Sequence, residues 1–243
     1  MDPKGASVAD VLLKDRHYKI RGISRDPHKA SSKEWSDKGV EMVAGDLNNV
    51  ESLKSAFQGG HIIFGVTDFW QGMNDPACHE KAEKEGKPIN EICYDIEVQQ
   101  GKNIVDAAAA TVDTLDRFVL STLSNARKWS GGKVTWNYHF DAKWVAVDYL
   151  RATYPELDKK TSLVQVGLFA TNWKSMPTVA PQKVCRTPLK PSVPLTIAAI
   201  RWHLRPSFAR QTGLVAPHGR SETRHGSACV SRGHSLAASL TNT

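Results

Sequence analysis

The alternation of strand-like and helix-like segments is the feature that most constrains this chain of 243 residues. It is clearest from Tyr18 to Asp46, where a strand ending at Arg25 leads through a turn into a polar helix and then into the strand Val40–Ala44. The dipeptide Asp26–Pro27 predicts the start of that helix, with the aspartate as N-cap. Strands alternating with helices predict parallel βαβ units, and therefore an α/β fold with a doubly wound sheet.

The same pattern continues to about Lys174. The polar, turn-rich residues 71–87 interrupt it and predict a surface excursion. Hydrophobic spacing predicts helices over 5–13, 50–58, 91–112 and 139–152, and strands over 61–67, 117–121 and 161–167. Ligands of such sheets bind beyond the carboxyl ends of the strands, so functional residues are expected there.

The C-terminal quarter has a different composition. Residues 177–243 contain nine Lys or Arg and one acid with little periodicity, whereas residues 1–176 contain 23 bases and 24 acids. Together with the strand–helix alternation, these numbers predict an α/β domain over 1–176 and a basic, low-order segment over 177–243, disordered from 213 onward. Because the excess positive charge lies in that segment and residues 1–176 are about neutral, direct nucleic-acid binding by the folded part is not expected. The abrupt change also suggests an altered reading frame or retained non-coding sequence.

Other sequence features bound the environment of the chain. No apolar run approaches the roughly 18 residues of a membrane span, so no membrane partner is predicted. Four widely spaced cysteines without a C-x-x-C motif predict a reduced, intracellular protein, cytoplasmic or nuclear. Cys78, His79 and Cys93 do not have the spacing of a standard zinc site, and no metal is predicted.

Arg25 is the first candidate for ligand binding. A cation at the end of this strand suits an adenosine 2′-phosphate, since an NAD enzyme would place an acid there, and the guanidinium fork matches phosphate oxygens. Lys29, predicted one turn into the next helix, adds a second charge. Both residues could instead be solvated surface cations. Asp46 either accepts a hydrogen bond from an adenine amino group or caps its own turn.

Lys143 is the most catalytic-looking residue. It lies four residues after His139, so both share one face of a predicted helix. In short-chain dehydrogenases a Tyr-x-x-x-Lys pair on this helix transfers a proton. Here His139 takes the position of the Tyr, and Tyr138 lies on another side of the helix. Ser121 is close to the usual position of a helper Ser, and a surface lysine is the alternative for Lys143.

Together these residues resemble the NmrA-like family of atypical short-chain dehydrogenases, which are NADP-binding Rossmann proteins. The resemblance extends from Gly5 to Lys174. Each matching segment is short, but their order and spacing make the set specific. The segments are Gly5–Val8, Ile23–Lys29, Val43–Leu47, Phe64–Trp70, Gln100–Asn103, His139–Lys143 and Phe169–Trp173.

The resemblance implies NADP as cofactor and gives roles to individual residues. It implies that Arg25 and Lys29 face the 2′-phosphate and that Lys143 lies near the nicotinamide ribose. It also implies that further residues line the cofactor: Gly5 at the phosphate loop, Asp46 and Leu47 near adenine, and Thr67, Phe69, Ser121, Phe169 and Asn172 along its length.

The chain departs from the family at both ends, and its C-terminal part has no recognisable match. The family begins with a β-strand and a Gly-x-x-Gly-x-x-Gly loop, of which only Gly5 is matched. We therefore expect a sheet without its first strand, with an unfilled central slot, in a truncated chain.

Three functions stay open at this point. The first is an NADP(H)-binding regulator of a transcription factor or another protein, because His139 replaces the Tyr. The second is an NADP-dependent reductase of the isoflavone-reductase type, with Lys143 in catalysis. The third is a non-functional fragment.

Overall fold

The structure, a computed structural model, describes residues 3–15, 17–167, 169, 172 and 238–242. The chain forms two compact units, one of Met1–Phe169 with Val230–Thr243 and one of Ala170–Cys229. In the second unit Asn172 alone is described, so the account below concerns the first. Among the described helices, none is long and apolar enough to cross a membrane.

Helices and strands alternate along the chain as the sequence predicts. The first half contains α1 (Pro3–Leu12), β1 (Tyr18–Ser24), α2 (Ala30–Asp37), β2 (Glu41–Ala44), α3 (Val50–Phe57), β3 (Ile62–Gly65), α4 (Phe69–Met73) and α5 (Pro76–Glu85). The second half contains α6 (Ile89–Ala109), β4 (Arg117–Thr122), α7 (Ala126–Trp129), α8 (Tyr138–Thr153), α9 (Pro155–Lys159), β5 (Thr161–Gln165) and β6 (Ala238–Asn242).

The strands form one six-stranded sheet in the order β2-β1-β6-β3-β4-β5. The pairs β1–β2, β3–β4 and β4–β5 are parallel, which confirms the α/β fold with a parallel sheet. Strand β6 runs antiparallel between β1 and β3, with Leu240 opposite both Ile20 and Ile62. The expectation of an unfilled central slot was therefore wrong, and so was disorder throughout 213–243. The backbone N–H and C=O groups of β1 and β3 obtain partners from the end of the chain.

The turn after β1 differs from its prediction. Helix α2 begins at Ala30, with Lys29 at the N-cap, instead of at Asp26. The Asp26 carboxylate accepts a hydrogen bond from the His28 N–H (2.9 Å), and the Ser32 hydroxyl donates to the Asp26 carbonyl (2.9 Å). These bonds hold residues 26–28 as a turn, because the aspartate side chain satisfies a nearby amide outside the helix.

The segment 71–87, predicted as a surface excursion, is largely helical. Asp75 is the N-cap of α5 and accepts from the Ala77 N–H (3.0 Å), with Pro76 at the first helical position. Gly86 ends the helix with a left-handed φ of 63°. The polar composition concealed a short helix with good capping residues at both ends.

The core joins the sheet to helices α1, α2, α3, α6 and α8, and includes Phe57, Ile63, Ile104, Phe118, Val147 and Leu150. Helices α6 and α8 pack closely, since a Cβ atom on Gly101 would lie 2.7 Å from the Ala146 Cβ atom. The middle of α6 reaches the segments that follow β2 and β3, since Asn103 bonds to Leu47 and Glu97 to Thr67, and it contributes residues to the site described next.

Candidate functional site

A small cavity of about 40 Å³ lies where β1 and β2 end, and we call it the Arg25 cavity. Arg25 is exposed and Lys29 is half-buried. Neither side chain has a hydrogen bond or an ion pair with any residue that the structure describes. The cavity therefore presents two cations whose donors are not engaged by the described residues. The other lining residues are Ser24, Asp46, Leu47, Asn48, Gln71 and Gln100.

The loop opposite these cations is held by helix α6. The Asn103 side-chain amide donates to the Leu47 carbonyl (2.7 Å), and the Gln100 amide donates to the Asn48 side-chain oxygen (3.1 Å). Asp46 accepts from the Asn48 N–H (2.9 Å), so it does cap its own turn. A carboxylate has two oxygens, and one of them has no bond within the described residues, which leaves an acceptor for a ligand.

Lys143 is buried, not exposed as a surface lysine would be, and only 7% of its surface is accessible. Its ammonium group donates to the Thr67 carbonyl (2.9 Å), to the Thr67 hydroxyl (2.8 Å) and to Glu97 Oε1. The Thr67 hydroxyl in turn donates to Glu97 Oε1 (2.7 Å). The network joins the end of β3 to α6 and α8, and all three N–H bonds of the ammonium have acceptors.

Glu97 is the functional candidate that the sequence prediction missed. It is 2% exposed and forms an ion pair with Lys143. Within a polar stretch of α6 it resembles a surface glutamate. The available signal was its spacing, because Cys93, Gly101 and Ile104 lie on the same buried face of the helix. A carboxylate in such a stripe predicts a buried partner.

His139 lies in an aromatic cluster beside this network. Its ring centroid is 5.1 Å from that of Trp70, 5.8 Å from Phe69 and 4.8 Å from Phe140. Burial, and then the nearby charge of Lys143, lower the pKa of His139 below its usual value. The imidazole is therefore neutral at pH 7, and Phe69 is part of its surroundings.

Tyr138 does not replace the missing tyrosine. Its hydroxyl donates to Glu91 Oε1 (3.3 Å), and its ring packs edge-on against Tyr94. Burial, and then the carboxylate of Glu91, raise the pKa of Tyr138. A tyrosine that transfers protons near neutral pH needs a shift in the opposite direction.

A larger cavity of about 310 Å³, the Glu97 cavity, lies between α4, α5 and α6. It shares Arg25 and Gln100 with the Arg25 cavity, and Glu97 and Cys93 line it as well. Burial raises the pKa of Cys93 to about 11, which makes the thiol a weak nucleophile at neutral pH. The Glu97 cavity thus connects Arg25 to the buried network around Lys143.

The other predicted residues occupy separate positions. Ser121 is buried at the end of β4. Gly5 lies in the first turn of α1, and the Lys4 ammonium is 5.8 Å from the ring centroid of Phe169, which follows β5. Asn172 lies in the other compact unit. The structure thus groups Arg25 with Lys29, Asp46 and Leu47, and groups Thr67 with Lys143.

An NADP molecule needs donors at its 2′-phosphate, acceptors at its adenine and a cradle of backbone amides at its pyrophosphate. The Arg25 cavity has the donors that a 2′-phosphate requires, together with acceptors for an adenine, so the residues at this end fit. At the pyrophosphate end, described residues 3–15 contribute the first turn of α1 and no run of glycines. The fit therefore rests on the adenosine end.

The sequence is similar to a known protein family and to curated fungal proteins. The sequence profile of the NmrA-like family matches residues 3–202, beyond the Lys174 limit of the motif resemblance. The NmrA-like family domain-containing oxidoreductase lnbB of Aspergillus flavus is 30% identical over 152 residues, which are 62% of this chain and 40% of that protein. The oxidoreductase notA of an Aspergillus species is 29% identical over 132 residues, which are 54% of this chain and 34% of that protein.

The chain thus spans less than half the length of these curated relatives. Among solved structures, a mutant form of NmrA superposes with a TM-score of 0.50 at 19% identity, over 70% of this chain and 43% of that chain. This likeness concerns the fold. The profile match covers most of the sequence, and the chain belongs to the NmrA-like family, an NAD(P)-binding family.

Proposed function

We propose that the chain binds NADP(H), with Arg25 and Lys29 holding the 2′-phosphate and with Asp46 and Leu47 beside the adenine. The observation that supports this most strongly is the pair of cations at the Arg25 cavity that have no partner within the described part of the chain. A phosphate there gains charge-assisted hydrogen bonds without breaking any bond of the protein. An NAD molecule, with a ribose hydroxyl at that position, gains much less.

We further propose that the chain acts as a cofactor-responsive regulator of another protein, such as a transcription factor, rather than as an efficient catalyst. NADP(H) supplies a hydride, but rapid reduction of most substrates also needs a positioned proton donor. His139 is neutral and packed among aromatic rings, and the three donors of Lys143 are engaged by Thr67 and Glu97. Neither group is arranged like a Tyr–Lys pair.

An NADP-dependent oxidoreductase is the second candidate. Relatives such as lnbB and notA are named oxidoreductases. Lys143 contacts Thr67 and His139 contacts Phe69, and both of these partners follow β3. In that case Lys143 would hold the nicotinamide ribose. Substrate-dependent NADPH oxidation that is lost in Lys143→Ala would favour this candidate.

Titration of the purified chain with NADPH and with NADH, followed by nicotinamide fluorescence, tests the proposal. We expect NADPH to bind at least about tenfold more tightly, because the 2′-phosphate adds charge-assisted hydrogen bonds. Equal affinities, or no binding of either nucleotide, would contradict it.

A further inference from the structure

The network around Lys143 uses every donor that the lysine has. An ammonium group has three N–H bonds, and the Thr67 carbonyl, the Thr67 hydroxyl and Glu97 Oε1 accept all of them. A ribose hydroxyl can accept from Lys143 only if one of these bonds opens. The bond to Glu97 is the charged one, and it is the strongest restraint on the lysine.

We propose that Glu97 is a positioning residue that competes with the cofactor ribose for Lys143. The inference rests on the proposed function, and it adds a built-in restraint on cofactor affinity. While Glu97 holds the ammonium group, the positive charge is neutralised inside the protein. Binding of an anionic dinucleotide therefore gains less from Lys143 than a free lysine at the same position would provide.

The incomplete bonding of Glu97 favours this role over a purely stabilising one. Its Oε2 atom is buried and accepts no hydrogen bond from the described residues. A buried ion pair stabilises a fold only when its remaining lone pairs are satisfied, and apolar residues of similar size often do as well. The pair also lies where function is expected, because Glu97 lines the Glu97 cavity and Thr67 follows β3.

The substitution Glu97→Gln separates the two roles. The amide keeps the shape and one acceptor but removes the negative charge, so Lys143 is held less firmly and its charge is no longer matched. We expect a lower melting temperature together with NADPH affinity about tenfold higher than in the wild type. A merely structural role predicts that stability and affinity fall together, and that result would overturn the proposal.

Glu91→Gln is the matched control, because it removes a carboxylate from the same helix without touching Lys143. Glu91 accepts from Tyr138 instead. We expect NADPH affinity to stay within about twofold of the wild type. An equal gain in both variants would show a general charge effect and would contradict competition at Lys143.

A double-mutant cycle locates the effect at the lysine. In a Lys143→Met background, Glu97→Gln has no lysine to release, so it should leave NADPH affinity unchanged. If the glutamine still raised affinity tenfold in that background, Glu97 would not act through Lys143.

Acylation of lysines by an N-hydroxysuccinimide ester, followed by mass spectrometry, tests the restraint without any cofactor. We expect Lys143 to be modified at least about fivefold faster in Glu97→Gln than in the wild type, since a loosely held amine is more available. Lys160, which donates to the Val112 and Leu115 carbonyls, reports general loosening and should not change.

These measurements also separate the two proposals. Wild-type protein that binds no NADPH would contradict the proposed function, while the acylation rates would still decide whether Glu97 restrains Lys143. Equal rates for Lys143 in the wild type and in Glu97→Gln would overturn the inference.

Discussion

Arg25 and Lys143 are two cations near the carboxyl ends of the same sheet, and their surroundings are opposite. Arg25 is exposed and has no partner among the described residues, whereas Lys143 is buried with an acceptor for every N–H bond. A ligand can reach the first cation without breaking a protein contact. At the second cation, it must replace one. We call the region around Arg25 the open end of the site and the region around Lys143 the closed end. The open end can therefore recognise a cofactor even if the closed end contributes little.

The largest effect is expected from Lys143→Met, which tests the closed end. Removing the ammonium leaves the buried Glu97 carboxylate unpaired, and breaking a buried pair costs about 3–5 kcal/mol. Urea denaturation should show this loss in the free energy of unfolding. Lys128→Met, at an exposed position on α7, should change it by less than about 0.5 kcal/mol. Equal losses in the two variants would mean that Lys143 is not held as described.

Arg25→Ala should have the next largest effect, on binding rather than on stability. Loss of charge-assisted hydrogen bonds to a phosphate costs about 1.5–3 kcal/mol, which is roughly 10- to 150-fold in NADPH affinity. The melting temperature should stay unchanged because Arg25 has no partner to lose among the residues that the structure describes. Arg127→Ala, on the exposed α7, is the control and should bind NADPH normally. Normal NADPH binding by Arg25→Ala would remove the main support for the open end.

Ser32→Ala tests whether the open end depends on its local turn. The Ser32 hydroxyl is buried and donates to the Asp26 carbonyl, so its removal should cost about 1 kcal/mol of stability. Arg25 and Lys29 flank this turn, and NADPH affinity should fall a few-fold as they lose their alignment. Ser36→Ala, one turn further along α2, serves as the control in thermal unfolding and NADPH titration. Similar results for the two serines would argue against a role for the turn.

The smallest effect concerns His139 and the pH dependence of stability. Its pKa is lowered in the folded protein, so below the usual value of about 6.5 the unfolded chain binds more protons. The free energy of unfolding should therefore fall as the pH drops below about 6.5, until the folded-state pKa is passed. The change should be well below 1 kcal/mol, because the ring is only partly buried.

Melting temperatures of His139→Phe and wild type between pH 5 and 8 check this prediction. The phenylalanine keeps the aromatic packing and should flatten the curve, whereas His28→Gln controls for the loss of an exposed histidine. An unchanged curve in His139→Phe would show that the histidine is equally basic in the folded and unfolded chain.

The sequence indicated which residues lie together around Arg25, because they are neighbours in the chain. Arg25, Lys29, Asp46 and Leu47 follow two consecutive strands, and parallel strands bring their carboxyl ends to one edge. Their grouping follows from local patterns once the α/β class is known, whereas their role toward a cofactor stays a prediction. The resemblance to the NmrA-like family had indicated the same four residues.

Simple sequence signatures failed where side-chain hydrogen bonds decided the outcome. Asp26–Pro27 and Asp75–Pro76 have the same helix-start signature, yet only the second begins a helix. Ser32 bonds to the Asp26 carbonyl and stabilises a turn there. The partner of Lys143 was missed for a related reason, since Glu97 lies 46 residues away along the chain and no local pattern joins them.

Strand β6 was the least predictable element. The segment Ala238–Asn242 has little of the β-branched or aromatic content that marks a strand. Strand β6 pairs through backbone hydrogen bonds with β1 on one side and with β3 on the other. It occupies the position between these two strands, which do not pair with each other. Such pairing depends on the rest of the sheet, and the residues of the strand itself do not encode it.

Calorimetric titration with adenosine 2′,5′-bisphosphate and with adenosine 5′-monophosphate tests the contrast between the two ends most directly. The ligands differ only in the 2′-phosphate, and neither carries a nicotinamide ribose. We predict that the bisphosphate binds at least about tenfold more tightly, that Arg25→Ala removes this difference, and that Lys143→Met preserves it. Equal binding of the two ligands by the wild type, or a difference lost in Lys143→Met but kept in Arg25→Ala, would contradict the account.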